Sequence, residues 1–130
     1  MAYYVDTSAL IKLVVEEDET TALMGWLGAE ERTAVSCDLA RTELVRATRR
    51  AAPDQMGRAR QVLDGLILTE VTTAVFEAAG RLDPKIVRSL DAIHLAAALD
   101  LGDDLDGIIT YDTRLADAAR AHGIPVIAPS

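Results

Sequence analysis

Cysteine is nearly missing from this 130-residue chain: Cys37 stands alone, and one thiol cannot crosslink one chain. Histidine is almost as scarce. With only His94 and His122 beside that cysteine, a closed zinc site of the Cys/His kind is excluded. No run approaches the roughly 20 uncharged apolar residues that a membrane-spanning helix requires. The opening MAYYVDTSAL lacks the basic start and long apolar stretch of a secretory signal. These absences point to a soluble protein, with no membrane partner, in a reducing cytoplasmic compartment. Bases are also in deficit, 13 against 21 acids, and the resulting charge of −8 repels phosphate at long range. A simple polyanion-coating protein is therefore excluded, and any dealings with nucleic acid must be local.

The bases that are present are unevenly placed. Arg41, Arg46, Arg49, Arg50, Arg58 and Arg60 face only Glu43 and Asp54 within residues 41–60, a window of +4 in a chain that is −12 elsewhere. Half of all positions are apolar, enough for a single domain spanning 1–130 to bury roughly two-thirds of its unfolded surface without disulfide or structural metal. No repeat and no low-complexity segment interrupts the pattern.

Instead, short apolar runs alternate with helical patterns. Tyr3–Val5, Thr33–Val35, Leu66–Val71, Gly107–Tyr111 and Ile124–Ile127 read as strands buried on both faces. Between them, Ser8 can cap a helix through Val15, and another covers Thr21–Leu27. Asp38 can cap a longer helix stopped by Pro53, followed by one over Asp54–Asp64. Thr73 opens a helix through Leu82, Ser89 begins one ending near Leu101–Gly102, and a last one runs from Thr113 to His122–Gly123. Strands joined through helices pair in parallel, so the expected fold is an α/β/α three-layer sandwich with a mainly parallel sheet. In such sheets ligands sit beyond the carboxyl ends of the strands, where the strand order reverses.

Four acids occupy positions that the apolar pattern does not explain. Asp6 follows Tyr3–Val5 and Asp112 follows Ile108–Tyr111, each at a strand end, where a helix-capping carboxylate is the plain alternative. Glu43 falls within the stripe of Leu39, Ala40, Leu44 and Ala47 and so faces inward, where an Arg or backbone donors could satisfy it. Asp91 opens a helix apolar almost all round, where it could merely complement the helix N-terminus. His94, one turn later, reads as a hydrogen-bonded core imidazole. A shared cause is simpler than four separate ones: the four carboxylates converge within a few ångströms at one cleft, where their repulsion demands a cation. Oxygen-only ligands select Mg²⁺ or Mn²⁺, which can activate water and polarise a phosphodiester.

The residues carry a resemblance. Asp6–Thr7–Ser8–Ala9–Leu10 resembles the opening motif of PIN-domain ribonucleases, Glu43 in Arg41–Thr42–Glu43–Leu44 their helical glutamate, Asp91–Ala92–Ile93–His94–Leu95–Ala96 their central motif, and Thr110–Tyr111–Asp112–Thr113–Arg114–Leu115 their final one. At this compact length the chain is similar to VapC-type toxins of toxin–antitoxin pairs. That resemblance implies an endoribonuclease dependent on Mg²⁺ or Mn²⁺, with Asp6, Glu43, Asp91 and Asp112 as catalytic and metal-holding acids and a metal-activated water as nucleophile. It implies that Ser8 adds a hydroxyl near the metal or holds the first acid, and that Thr110 supports the last strand end. It further implies an RNA substrate, a homodimer and a cognate antitoxin, to which Arg46, Arg49 and Arg50 could present a basic face. A solvated arginine face is the plain alternative.

Two other classes compete. Aspartyl-phosphate phosphotransfer also places an Asp after the first strand, but the phosphatases of this type want a second Asp where Ser8 stands, and receiver domains want a lysine after Lys85 that is missing. An inactive binding module that keeps the acidic pocket is the non-enzymatic alternative.

Overall fold

The computed structural model describes residues 1–130. Its five strands are β1 (Ala2–Val5), β2 (Thr33–Cys37), β3 (Ile67–Thr69), β4 (Leu105–Ile109) and β5 (Val126–Ile127). Its helices are α1 (Thr7–Val14), α2 (Thr20–Gly28), α3 (Leu39–Ala51), α4 (Met56–Asp64), α5 (Thr73–Gly80), α6 (Ser89–Leu99) and α7 (Thr113–Ala121), with 3-10 turns at Pro53–Gln55 and Gly102–Asp104. The strands form one sheet in the order β3-β2-β1-β4-β5, and every pairing is parallel. No helix is long and apolar enough to cross a membrane.

The alternation of side chains along β1 and β4 builds the three layers. Tyr4 and Ile108 point into a core with α5, α6 and α7. Their neighbours Val5 and Ile109 point into a second core with α1, α2, α3 and α4. Alanines supply much of α6: Ala92, Ala96, Ala97 and Ala98 are buried, and their small size lets the helix settle on the sheet. Leu23 belongs to the second core, while Trp26 is half-buried with its ring 4.9 Å edge-on to Tyr3.

Several expected boundaries move. The edge strands are short and partly open, with Ile67 56% exposed, so burial on both faces holds only for the centre of the sheet. Asp6, not Ser8, caps α1, its carboxylate accepting from the Ala9 amide. Asp38 makes no capping bond to α3; its Oδ1 accepts from Arg41 Nε at 2.9 Å instead. α5 starts at Thr73 as expected, capped by Thr72, but ends at Gly80 and not at Leu82.

The strand order fixes where a ligand crevice must open. From β1 the chain moves outward to β2 and β3, then returns to place β4 on the opposite side of β1. The reversal therefore lies between β1 and β4, at whose carboxyl ends Asp6 and Asp112 emerge.

Candidate active site

Asp6 is 5% exposed and held from several directions. Ser8 Oγ donates to its Oδ1 at 2.7 Å, Thr110 Oγ1 donates to its Oδ2 at 2.9 Å, and the Ala9 amide donates at 3.2 Å. Burial nevertheless pushes its pKa up to about 6, beyond what Ser8, Thr110, His94 and the Ala9 amide take back. Ser8 Oγ also accepts from the Tyr111 amide at 2.9 Å, and Thr110 Oγ1 accepts from the Asp112 amide at 3.1 Å. The two hydroxyls thus stitch the end of β1 to the end of β4.

Asp112 caps α7, accepting from the amides of Arg114 at 2.9 Å and Leu115 at 3.3 Å. The capping alternative is accordingly observed for both strand-end acids. Glu43 does face inward from α3, as its apolar stripe predicts. Its partners are neither an Arg nor backbone donors: Thr7 Oγ1 donates to its Oε1 at 2.8 Å, and His94 Nε2 donates to the same atom at 2.5 Å.

His94 is almost fully buried, as the core-imidazole reading expects, and its other nitrogen, Nδ1, lies 2.7 Å from Tyr4 Oη and 3.9 Å from Cys37 Sγ. Burial alone favours the neutral ring, but Cys37 and Glu43 outweigh it and push the His94 pKa up to about 10. In the same way burial would raise the Glu43 carboxyl, and His94 and Thr7 reverse this and hold it below its ordinary value. Asp91, in the first turn of α6 and one turn ahead of His94, is raised by burial, then by Asp112, and further by Glu43.

The acids therefore gather at one end of the sheet, but not as closely as expected. No group of three or more His, Cys, Asp or Glu side chains is arranged to hold a metal ion. The reason is local: Asp6 is turned to Ser8, Thr110 and the first turn of α1, Asp112 to the first turn of α7, and Glu43 to His94 and Thr7. Asp91 feels the charge of Asp112 and Glu43, while Asp6 is set by burial and its own hydrogen bonds. Their donor chemistry fits a hard divalent cation, since all are oxygen ligands and Asp91 experiences repulsion that a cation relieves.

Arg46, Arg49 and Arg50 are exposed along the far half of α3 and alone line a shallow concavity of about 270 Å³. None of them makes an ion pair within the chain. Residues that the sequence did not single out are Thr7 and Tyr4. Thr7 sits inside the first motif, so its place beside Asp6 was the available signal. Tyr4 gave none beyond lying in a strand.

Comparisons with known proteins agree with this architecture. The PIN domain family matches residues 3–121. Ribonuclease VapC47 of Mycobacterium tuberculosis is 43% identical over 97% of this chain and 96% of its own. Among solved structures, M. tuberculosis VapC20, described as a sarcin-ricin loop cleaving toxin, superposes with a TM-score of 0.76 at 16% identity, covering 98% of this chain and 100% of that one. A toxin–antitoxin complex from Klebsiella pneumoniae gives a TM-score of 0.71 at 22% identity, covering 99% and 98%. The motif order, the all-parallel sheet with its reversal beside β1, and a family match spanning nearly the whole length establish that this chain belongs to the PIN domain family.

Proposed function

We propose that this chain is a divalent-metal-dependent endoribonuclease, the toxin of a toxin–antitoxin pair, acting through Asp6, Glu43, Asp91 and Asp112. The observation that carries this reading is the set of carboxylates at the sheet reversal: Asp6 and Asp112 stand at the ends of neighbouring strands, Asp6 is pushed up to about 6 by burial, and Asp91 is raised by burial, Asp112 and Glu43 more than His94 and Arg88 lower it. A cytosolic domain gains nothing in stability from such a site. It gains a place for a hard cation, Mg²⁺ or Mn²⁺, held by Asp6, Asp91 and Asp112 with Glu43 beside them. When bound, the ion supplies Lewis-acid polarisation of a phosphodiester and activation of a water.

The chain's own residues do the positioning. Ser8 and Thr110 fix both oxygens of Asp6, while Thr7 and His94 fix Glu43. Held ionised by His94 and only half-buried, Glu43 contributes a fixed negative charge beside the proposed cation site. Arg46, Arg49 and Arg50 offer RNA phosphates or antitoxin carboxylates a basic face. The ribonuclease and toxin descriptions of the relatives support RNA as substrate and a protein antitoxin as partner, and a homodimer completes the proposal.

The test is cleavage of RNA by purified protein with Mg²⁺, with EDTA, and with Asp6→Asn. Cleavage that needs the ion and disappears in the variant is expected. EDTA-resistant cleavage that survives Asp6→Asn would count against the proposal, as would a phosphoenzyme trapped at Asp6.

A further inference from the structure

A cavity of about 370 Å³ opens between the Pro84–Asp91 segment and α7. That is within the roughly 300–1,000 Å³ range of small-ligand pockets. Its walls have two kinds of chemistry. Pro84, Ile86 and Val87 form an aliphatic side, and Ile86 is 88% exposed, a large apolar side chain that nothing in the chain covers. Arg88 and Arg114 bring two exposed guanidiniums, neither of which makes an ion pair. Two carboxylates also line it. Asp117 is engaged by Arg120 at 3.4 Å, and Asp91 belongs to the acidic site and feels the Arg88 charge.

From this juxtaposition we infer that the cavity is a nucleotide subsite for single-stranded RNA. It takes the residue next to the scissile phosphate, with a flanking phosphate on Arg88 and Arg114 and the base against Pro84, Ile86 and Val87. The inference rests on the nuclease reading, because the shared Asp91 carboxylate is what joins the cavity to the reacting position. A nucleotide matches both walls, since it couples an anion suited to guanidinium forks with a flat apolar face. An acidic peptide would use the guanidiniums and leave Ile86 in water. A neutral apolar ligand would leave the guanidiniums idle. Contacts to a base face through aliphatic groups carry no hydrogen-bond readout, so the subsite accepts any base.

The experiment measures binding of a short fluorescent single-stranded RNA to the Asp6→Asn protein, on that background alone and with Arg88→Ala, Arg114→Ala or Ile86→Ser. Arg60→Ala, an exposed arginine on α4, controls for simple loss of charge. Arg88, Arg114, Ile86 and Arg60 are exposed, and thermal melting checks that each variant folds on the Asp6→Asn background. Either arginine substitution is expected to weaken binding roughly tenfold and to flatten the dependence of log K on log salt by roughly 0.7. Ile86→Ser weakens binding without changing that slope. In the cleaving protein the arginine variants raise KM and leave kcat in place.

Arginine variants indistinguishable from Arg60→Ala in affinity and slope would overturn the subsite. So would unchanged RNA affinity accompanied by lost binding of polyglutamate, which would assign the cavity to a protein partner. Failure of the nuclease reading looks different: the wild-type chain would cleave no RNA while the RNA affinities still respond to Arg88 and Arg114.

Discussion

His94 Nε2 and Glu43 Oε1 lie 2.5 Å apart, joining α6 to α3 across 51 positions of sequence. The imidazole is the more deeply buried partner, with its side chain 4% exposed against 24% for Glu43. Removing one member of a buried pair strands the other. His94→Ala is therefore expected to lower stability by about 3 kcal/mol, measured by urea unfolding at neutral pH. The pH dependence has a definite sign. The folded-state pKa of about 10 lies above the ordinary 6.5, so the His94 contribution is complete below about 6.5 and is lost as pH rises towards 10. Unfolding curves for wild type and His94→Ala should converge over that interval. A constant gap to pH 10 would mean that the ring is neutral and the contact is not an ion pair.

Asp6 gives the same sign in a lower pH interval, through burial of its charge and not through an ion pair. Its pKa of about 6 exceeds the ordinary 3.8, so the folded chain holds a proton that the unfolded chain has released, and stability falls as pH rises from about 4 through 6. Asp6→Asn keeps an oxygen for one of the Ser8 and Thr110 hydroxyls, presents an NH2 to the other, which must then accept, and removes the buried charge. It should raise stability at pH 7 by up to about 3 kcal/mol and show little gain at pH 4. A variant less stable than wild type at pH 7 would show that Ser8 and Thr110 require the ionised carboxylate.

These two residues also mark how far the sequence could be read. Asp6 and Asp112 were legible because an apolar run, then an acid, then a helical pattern places a carboxylate at a strand's carboxyl end whatever the rest of the fold does. The inward direction of Glu43 followed from its helical stripe. Its partner did not, because periodicity says which face a residue lies on and not which of the distant residues on other elements meets it. The same blindness applies to Arg88 and Arg114, brought to one cavity from separate helices. The start of β4 was hidden for another reason. Leu105 and Asp106 follow Asp103 and Asp104, an acidic run that reads as a wet loop, yet Leu105 pairs with Ala2. Convergence of the four acids was expected to be tighter than it is, since capping amides and internal hydroxyls compete for each carboxylate.

Gly107 tests the packing that carries β5. A methyl group there would stand 2.5 Å from Ile127 Cδ1 and 3.0 Å from the Pro125 carbonyl oxygen. The side chain of Ile127 can rotate, but the carbonyl belongs to the backbone, where its oxygen accepts from the Ile108 amide at 2.9 Å. Gly107→Ala is expected to cost about 1–3 kcal/mol in thermal or urea unfolding. An unchanged midpoint would show that β5 shifts outward without penalty.

The proposed cation site would make the folded chain a better ligand for divalent cations than the unfolded one. Any ion that binds the native state alone stabilises it by mass action, about 2.7 kcal/mol at a hundredfold excess over Kd, or on the order of 10 °C in Tm for a domain of this size. Mn²⁺ is thus expected to raise Tm, and EDTA to reverse the rise. Protons compete for the same oxygens: with Asp6 titrating near 6, the Mn²⁺ effect should be largest above that pH and fade by about pH 4 to 5. Neutralising Asp6 or Asp91 acts on both sides of the equilibrium. The metal-free protein becomes more stable because a charge disfavoured by burial at Asp6, or by burial and repulsion at Asp91, is gone, and the Mn²⁺ increment shrinks because a proposed ligand is gone. A Tm rise of equal size in wild type and in Asp6→Asn/Asp91→Asn would place the ion elsewhere, for example at the exposed acids Glu16 and Asp18, and would leave the acidic site without a cation.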